Sequence, residues 1–436
     1  MRSKAVLVEA APTMAAALLG AAALVVLRAP AQVITLAVVL TLTLSRTERT
    51  TSRGERLSHL LLLPAFAMAT SQLGVLWQPA GDALFCLAVA ATIWVRRFGP
   101  RWTAIGRLAT APLVAALILP GANALWAAAA AVLALLCVYA TRPRPTPKPA
   151  AASNPTISQR MAVQMGVAVA VAFVVGRTVF GDHWAWVVLT AFIVCSGNRG
   201  RGDVVYKSLL RVAGALGGTL LATGLLLIFG RHQAFDVVAI FVVLTAATAL
   251  RPVNYAWWAG GVTAALAFLY ASLGQSGPEL LAIRLVAIVV GGLLGVAASW
   301  LILPIRTTTI VRGRIKSVLT ALDELLAALP GNEDLAVRRR KFDAAVSNLD
   351  LVSPPVLAHR RITPRATPHW ADLITTLRRC VPLVHAIVDH APATGPATAA
   401  LADARAELAT LSAGPKPAKT ALDRRIGALA EAMRPS

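Results

Sequence analysis

Apolar residues run through positions 8 to 303 in long stretches broken by short polar turns. A membrane-crossing helix needs about 20 such residues, with a working range of about 17 to 25. Taken in order, the runs fall at 8–27, 30–45, 57–76, 80–95, 107–119 and 122–140, then at 160–180, 184–197, 208–229, 235–250, 256–273 and 280–303. Several are short or abut through proline or glycine, which predicts tight hairpins of tilted helices. Residues 141–159 separate the two sets. Their prolines and lack of apolar residues predict a semi-rigid, non-helical connector. Pro304 and Arg306 end the apolar part. Beyond them, VLTALDELLAAL and FDAAVSNLDLV carry apolar residues at helical spacing among mixed charges, so 306–436 reads as a cytoplasmic domain of four or five helices.

Composition sharpens this picture. Hydrophobic residues make up 57% of the chain and charged ones 14%, against about 25% charged in soluble domains. Mean hydropathy is +0.67, which excludes a soluble enzyme. Met1 to Leu27 has early positive charges and an apolar run, but another run follows almost at once, so it reads as a first membrane helix and not a cleaved signal. The net charge of +22 does not by itself call for nucleic acid. Cytoplasmic loops of membrane proteins collect Lys and Arg, and no basic-aromatic module points to nucleic acid. Cys86, Cys137 and Cys195 lie in apolar runs and Cys380 in the tail, without the spacing of a disulfide framework or a zinc site.

The two apolar sets read as a repeat. APAQVITLAVVLTLTLSRTERTTSRGER in the first leads into an apolar helix, as DHWAWVVLTAFIVCSGNRGRGDVVYKSLLR does in the second. VRRFGPRWTAIGRLATAPLVAAL matches ALRPVNYAWWAGGVTAALAFLY in the same way. Six helices per copy is an even number, so both copies share one orientation. The expected fold is an all-α membrane protein of two parallel six-helix repeats, 1–140 and 160–305, with about twelve spans in all. Such parallel repeats are a transporter architecture. Arg46, Arg49, Arg53 and Arg56, then Arg96, Arg97, Arg101 and Arg107, then Arg142, Arg144 and Lys148, then Arg199, Arg201 and Lys207, and Arg251 fall on alternate turns. By the positive-inside rule both termini are then cytoplasmic, in a plasma membrane.

The centre of the pattern is 183–219: HWAWVVLTAFIVC, a basic turn, then RVAGALGGT. WAWVVLT (184–190), RVAGALGGT (211–219) and RLVAIVVGGLLGVAASWLILP (284–304), in this order and spacing, resemble the fusaric acid resistance family of aromatic acid exporters. The likeness covers about 160–305, with the first half as a degenerate copy. It implies a transporter of aromatic or related organic acids; more distant plant relatives look like malate channels. Longer bacterial members place a large soluble region between the halves, where this chain has only the short Pro-rich connector.

Candidate residues follow from chemistry as well as likeness. An organic-acid path needs fixed positive charge to offset the dehydration of a carboxylate. Arg211 and Arg284 each open a glycine-containing helix, and they either bind the carboxylate or snorkel to headgroups. Thr190 stands in the stretch that carries the likeness. Trp184, Trp186, Tyr255, Trp257 and Trp258 either stack on an aromatic acid or form interfacial belts. Gly214 with Gly218, and Gly291 with Gly295, are four apart and suit close helix packing. His183 with Asp182 reads as a turn pair or a proton site. His385 and Asp389 share a helix face with nothing nearby to complete a metal site. Arg338 to Lys341 either touch lipid headgroups or form a solvated face.

No phosphate-binding loop and no nucleophile motif occurs, so neither ATP-driven transport nor catalysis is expected, and no cofactor or metal. The expected partners are an organic acid and membrane lipids, with a monomer (a fused pseudo-dimer) or a homodimer as the working unit. Inside-negative voltage favours outward movement of an anion by about 2.3 kcal/mol per 100 mV, so uniport or channel-like export stands beside proton antiport. A membrane scaffold whose tail recruits partners is the reading from another class.

Overall fold

The structure is a computed structural model. It describes residues 2–48, 53–73, 76, 78–118, 123–141, 155–230, 233–272, 278–329, 334–363, 369–390, 395–410 and 417–433. Most of the connector, 142–154, lies outside the described residues. The chain divides into two compact units, one of residues 1–198 with 204–304, the other of 199–203 with 305–436.

Among the described residues twelve α-helices precede Pro304: α1 (Arg2–Val26), α2 (Ala31–Thr47), α3 (Arg53–Gln72), α4 (Gln78–Trp94), α5 (Pro100–Ile118), α6 (Ala124–Ala140), α7 (Pro155–Phe180), α8 (Trp184–Cys195), α9 (Arg201–Phe229), α10 (Gln233–Leu250), α11 (Tyr255–Ser272) and α12 (Pro278–Leu301). Four described stretches are long and apolar enough to cross a membrane: Gln78–Phe98, Pro155–Cys195, Arg201–Phe229 and Glu279–Leu301. Shorter apolar helices lie at Ala10–Val26, Ala31–Ser45, Ala124–Ala140 and Phe235–Leu250. The protein is an α-helical membrane protein.

Several helices overrun the apolar segments that mark them. α7 begins at Pro155, inside the span expected to be a non-helical connector, and α5 begins at Pro100 instead of residue 107. Proline suits a first helical position, because its fixed φ is helical and its missing N–H would have no partner there. α9 likewise takes in the basic turn from Arg201. Hydrophobicity marks where a helix meets lipid, whereas backbone hydrogen bonding carries it further.

Packing in this unit joins α1 to α2, α6 and α10; α4 to α5 and α7; α5 to α2, α3 and α8; and α12 to α7 and α8. α6 lies against α2 and α3, α7 against α8, and α10 against α11. The turn after α8 is closed by Gly197 at φ 61, the left-handed position that favours glycine past a helix end. Lys207 Nζ donates to the Ser196 and Gly197 carbonyls at 3.2 Å each. Gln164 Nε2 donates to the Ile302 and Leu303 carbonyls, at 2.8 and 3.1 Å, and so satisfies the end of α12.

Among the described residues the second unit has six helices, where four or five were expected: α13 (Thr307–Ala327), α14 (Leu335–Asp350), α15 (Ser353–Ile362), α16 (Trp370–His390), α17 (Gly395–Thr410) and α18 (Pro417–Ala432). Pro354 and Pro355 produce the additional break. They cannot donate to the ladder that α14 would need, so the chain turns and restarts as α15. Val311, Ile315, Val318, Leu322 and Leu325 form the buried stripe of α13 and meet Leu373, Leu377 and Val384 of α16 and Leu422, Ile426 and Leu429 of α18 in one core. His385 Nε2 pairs with Asp343 at 2.8 Å. Lys341 pairs with Glu324, and Arg338 Nη1 donates to the Glu324 carbonyl at 3.3 Å, so this basic run is engaged within its own unit.

Cys380 is 1% exposed in that core, and burial pushes its thiol up to about 11. At pH 8 only about one thiol in a thousand is then the reactive thiolate, against about a quarter for a free cysteine. In a chain with Cys86, Cys137 and Cys195 replaced by alanine, maleimide labelling at pH 8 is expected to run about a hundredfold slower than in denaturant. Fast labelling of the folded chain would contradict this core.

Candidate functional site

The stretch from α8 to α12 buries two arginines. Arg211 on α9 is 2% exposed and Arg284 on α12 is 3% exposed. Neither snorkels: both guanidiniums are enclosed by protein. Arg284 Nη1 donates to the Thr263 carbonyl of α11 at 3.2 Å, and its guanidinium lies 5.9 Å from the ring centre of Trp186 on α8. Trp186 is held in turn: its Nε1 donates to the Tyr270 hydroxyl at 3.3 Å, and the His183 ring stacks on it at 4.6 Å, only 3° from parallel.

Arg211 and Arg284 are close enough to repel each other. Neither forms an ion pair with any described residue. Among the described residues, the buried Nε of Arg211 has no hydrogen-bond partner, and neither does the buried Thr190 hydroxyl. Thr190 lies one turn beyond Trp186 on the same face of α8. An added Cβ at Gly291 would meet the Thr190 Cβ at 2.9 Å, so that face packs on the face of α12 that carries Arg284. Burying one cation without a counter-charge is costly, and burying two together more so. The site is therefore chemically incomplete, and an anion with acceptor oxygens is what would complete it.

Glycines make the enclosure possible. A Cβ on Gly218 would overlap the Gly260 carbonyl of α11 and lie 2.9 Å from its Cα; one on Gly214 would lie 2.8 Å from the Ala259 Cβ. On α12, Gly295 faces Cys195, with an added Cβ at 3.2 Å from its Sγ. The helices around the arginines are in backbone contact at these points.

The other expected residues lie elsewhere. Trp184 points away from Trp186 and stacks on Phe173 at 5.3 Å, with the Arg177 guanidinium 3.8 Å from its ring centre. Arg177 makes a two-pronged pair with Asp82, at 2.9 and 3.1 Å. Trp184, Asp82, Phe85, Phe173 and Arg177 line a cavity of about 370 Å³ that neither Arg211 nor Arg284 reaches. Tyr255 and Trp258 start α11, about 12 and 8 Å along its axis from Thr263. Trp258 lies under Arg251 at 4.4 Å and packs beside Met14 and Leu42. Trp257 is 57% exposed, as a lipid-facing residue would be. His183 faces Trp186 while Asp182 is exposed, so they are not one solvent-exposed pair.

Arg211, Arg284 and Thr190 are thus gathered, and Trp184, Tyr255 and Trp258 are not among them. Trp186, expected as a stacking or belt residue, stands beside Arg284, and Thr263 and Tyr270 join the site from outside the expected set. No curated protein and no solved structure matches the chain. Residues 167–298, which run from α7 into the last turn of α12 and hold both buried arginines, match the family model described as fusaric acid resistance protein-like.

Proposed function

We propose that the protein exports organic acid anions, aromatic ones among them, across the plasma membrane, and that Arg211 and Arg284 receive the carboxylate. The observation that carries this reading is two buried guanidiniums that form no ion pair with a described residue, beside a threonine hydroxyl without a hydrogen-bond partner among the described residues. Membrane-embedded ionisable groups mark substrate paths by default. The Trp186 face supplies an apolar platform for a ring, and the Thr190 hydroxyl supplies a donor to a second oxygen.

In this reading all twelve helices α1–α12 span the membrane as two parallel copies, with both termini cytoplasmic. Matching contacts support the repeat. α1 with α2 and α6 corresponds to α7 with α8 and α12, and α4 with α5 to α10 with α11. Across the halves, α4 with α7 corresponds to α10 with α1. Gly106 stands six residues into α5 and abuts Thr92, fourteen into α4; Gly261 stands six into α11 and abuts Ala247, fourteen into α10. The arginines have no such counterpart. Ten residues into α3 and α9 stand Leu63 and Arg211, and six into α6 and α12 stand Ala130 and Arg284. The first half is then a scaffold copy, and the second carries the anion site.

Binding of radiolabelled benzoate to the purified full-length chain tests this. Saturable binding, displaced by other aromatic carboxylates and not by benzylamine, is expected. A chain that binds no carboxylate, or binds amine and acid alike, would overturn the assignment.

A further inference from the structure

The first half contains a second buried ionisable cluster. Glu48, at the end of α2, is 2% exposed, and His59, in the second turn of α3, is 3% exposed. His59 Nδ1 lies 3.0 and 2.9 Å from the two carboxylate oxygens of Glu48. The Tyr139 hydroxyl, near the end of α6, donates to Glu48 Oε2 at 2.9 Å. The cluster therefore joins three helices through one carboxylate.

Among the described residues, the surrounding charges are few. On α3, the Arg56 guanidinium lies 5.3 Å from the Tyr139 ring centre, and Glu55 is half-buried. α5, which packs on both α2 and α3, brings Arg101 and Arg107, both exposed. α1 carries no charge from Ala10 to Val26, and Arg28 beyond it is exposed. The counterpart position in the second half, six residues into α9, is Lys207, whose ammonium is spent on the carbonyls that close α8. The same place in the repeat thus holds a fixed cation in one half and a titratable pair in the other.

We propose that Glu48, His59 and Tyr139 form a proton-binding site, and that the proton it exchanges is coupled to passage of the organic anion. The coupling rests on the transport reading above. With Nδ1–H donated to Glu48, the imidazole Nε2 takes up the proton, and Glu48 stabilises the imidazolium as a neutral buried pair. Release returns the proton to water at the end of the molecule that carries the basic turns. One proton moves inward as one carboxylate moves outward, and no other species is consumed. Imidazole is suited to this, since its charge changes within the range of about pH 5 to 8. Proton occupancy would set the end of α2 and the second turn of α3 against α6.

The test uses the full chain. In proteoliposomes at fixed inside-negative voltage, acidifying the outside is expected to speed benzoate efflux severalfold. Glu48→Gln and His59→Gln are each expected to lose that stimulation, while labelled benzoate still exchanges for unlabelled. Stimulation that persists in both variants would overturn the proposal, because a cluster that only ties α2 and α3 to α6 has no reason to carry the pH response. Purified chain with isotope-labelled histidine gives a separate readout, with His59→Gln identifying the signal. A His59 signal that passes between its neutral and protonated forms as pH is varied over the folded chain supports the proton site. A His59 signal that never moves while the chain stays folded overturns it. If wild-type protein moves no acid at all, the transport reading and the coupling fall together, and the histidine signal still decides whether the cluster binds a proton.

Discussion

Replacing Arg284 by alanine or methionine is expected to reduce carboxylate binding and efflux by about tenfold to a hundredfold. Hydrogen bonds to charged groups contribute about 1.5 to 3 kcal/mol, and each 1.4 kcal/mol is about a factor of ten. Stability should move the other way. Arg284 makes no ion pair with a described residue, so its removal orphans no carboxylate and relieves repulsion with Arg211. Arg284→Met should therefore melt no lower than wild type while its transport is lost, the opposite of what a structural salt bridge would give. Arg284→Lys keeps the charge but cannot reproduce a planar guanidinium that serves the Thr263 carbonyl and the Trp186 face together. It should fall between the two. Arg211→Ala should repeat the loss of binding. A melting temperature well below wild type for Arg284→Met would identify the residue as structural.

The second large effect is expected at Gly218. An added Cβ there overlaps the Gly260 carbonyl, so α9 and α11 must separate before any side chain fits. Overpacking of this kind costs about 1 to 3 kcal/mol for small increments, and here the obstructing atoms are backbone, which cannot rotate away. Gly218→Ala should lower the melting temperature by several degrees, and Gly218→Val should leave little folded protein. Gly217, the next residue, faces open space, with nothing within 4 Å of an added Cβ. Gly217→Ala should be neutral or stabilise by up to about 1 kcal/mol, because alanine is the better helix former. Equal tolerance at the two positions would mean that α9 and α11 are not in backbone contact.

What could be read from the sequence follows a physical division. The apolar runs, the small-residue pairs on α9 and α12, and the two arginines that precede those pairs are local patterns, and each is visible in a window of a few turns. The direction of a side chain is local too, yet Trp184 and Trp186 show how much depends on one step of helix rotation: they face a cavity and an arginine on different sides of α8. Gly260 was not marked because its partner spacing lies on another helix. The Glu48 cluster was out of reach for the same reason. Glu48 follows an apolar run and reads as part of a turn, but its partners are 11 and 91 residues away. In the tail, the helical stripe of α13 was legible, whereas the break made by Pro354 and Pro355 changed the helix count.

The most direct test of anion export is efflux of a panel of aromatic acids from proteoliposomes holding an inside-negative voltage. Outward flux of at least one aromatic carboxylate, rising with voltage and cut by at least about tenfold in Arg284→Met, is the predicted result. Liposomes containing folded wild-type protein that release no acid at any voltage would contradict it.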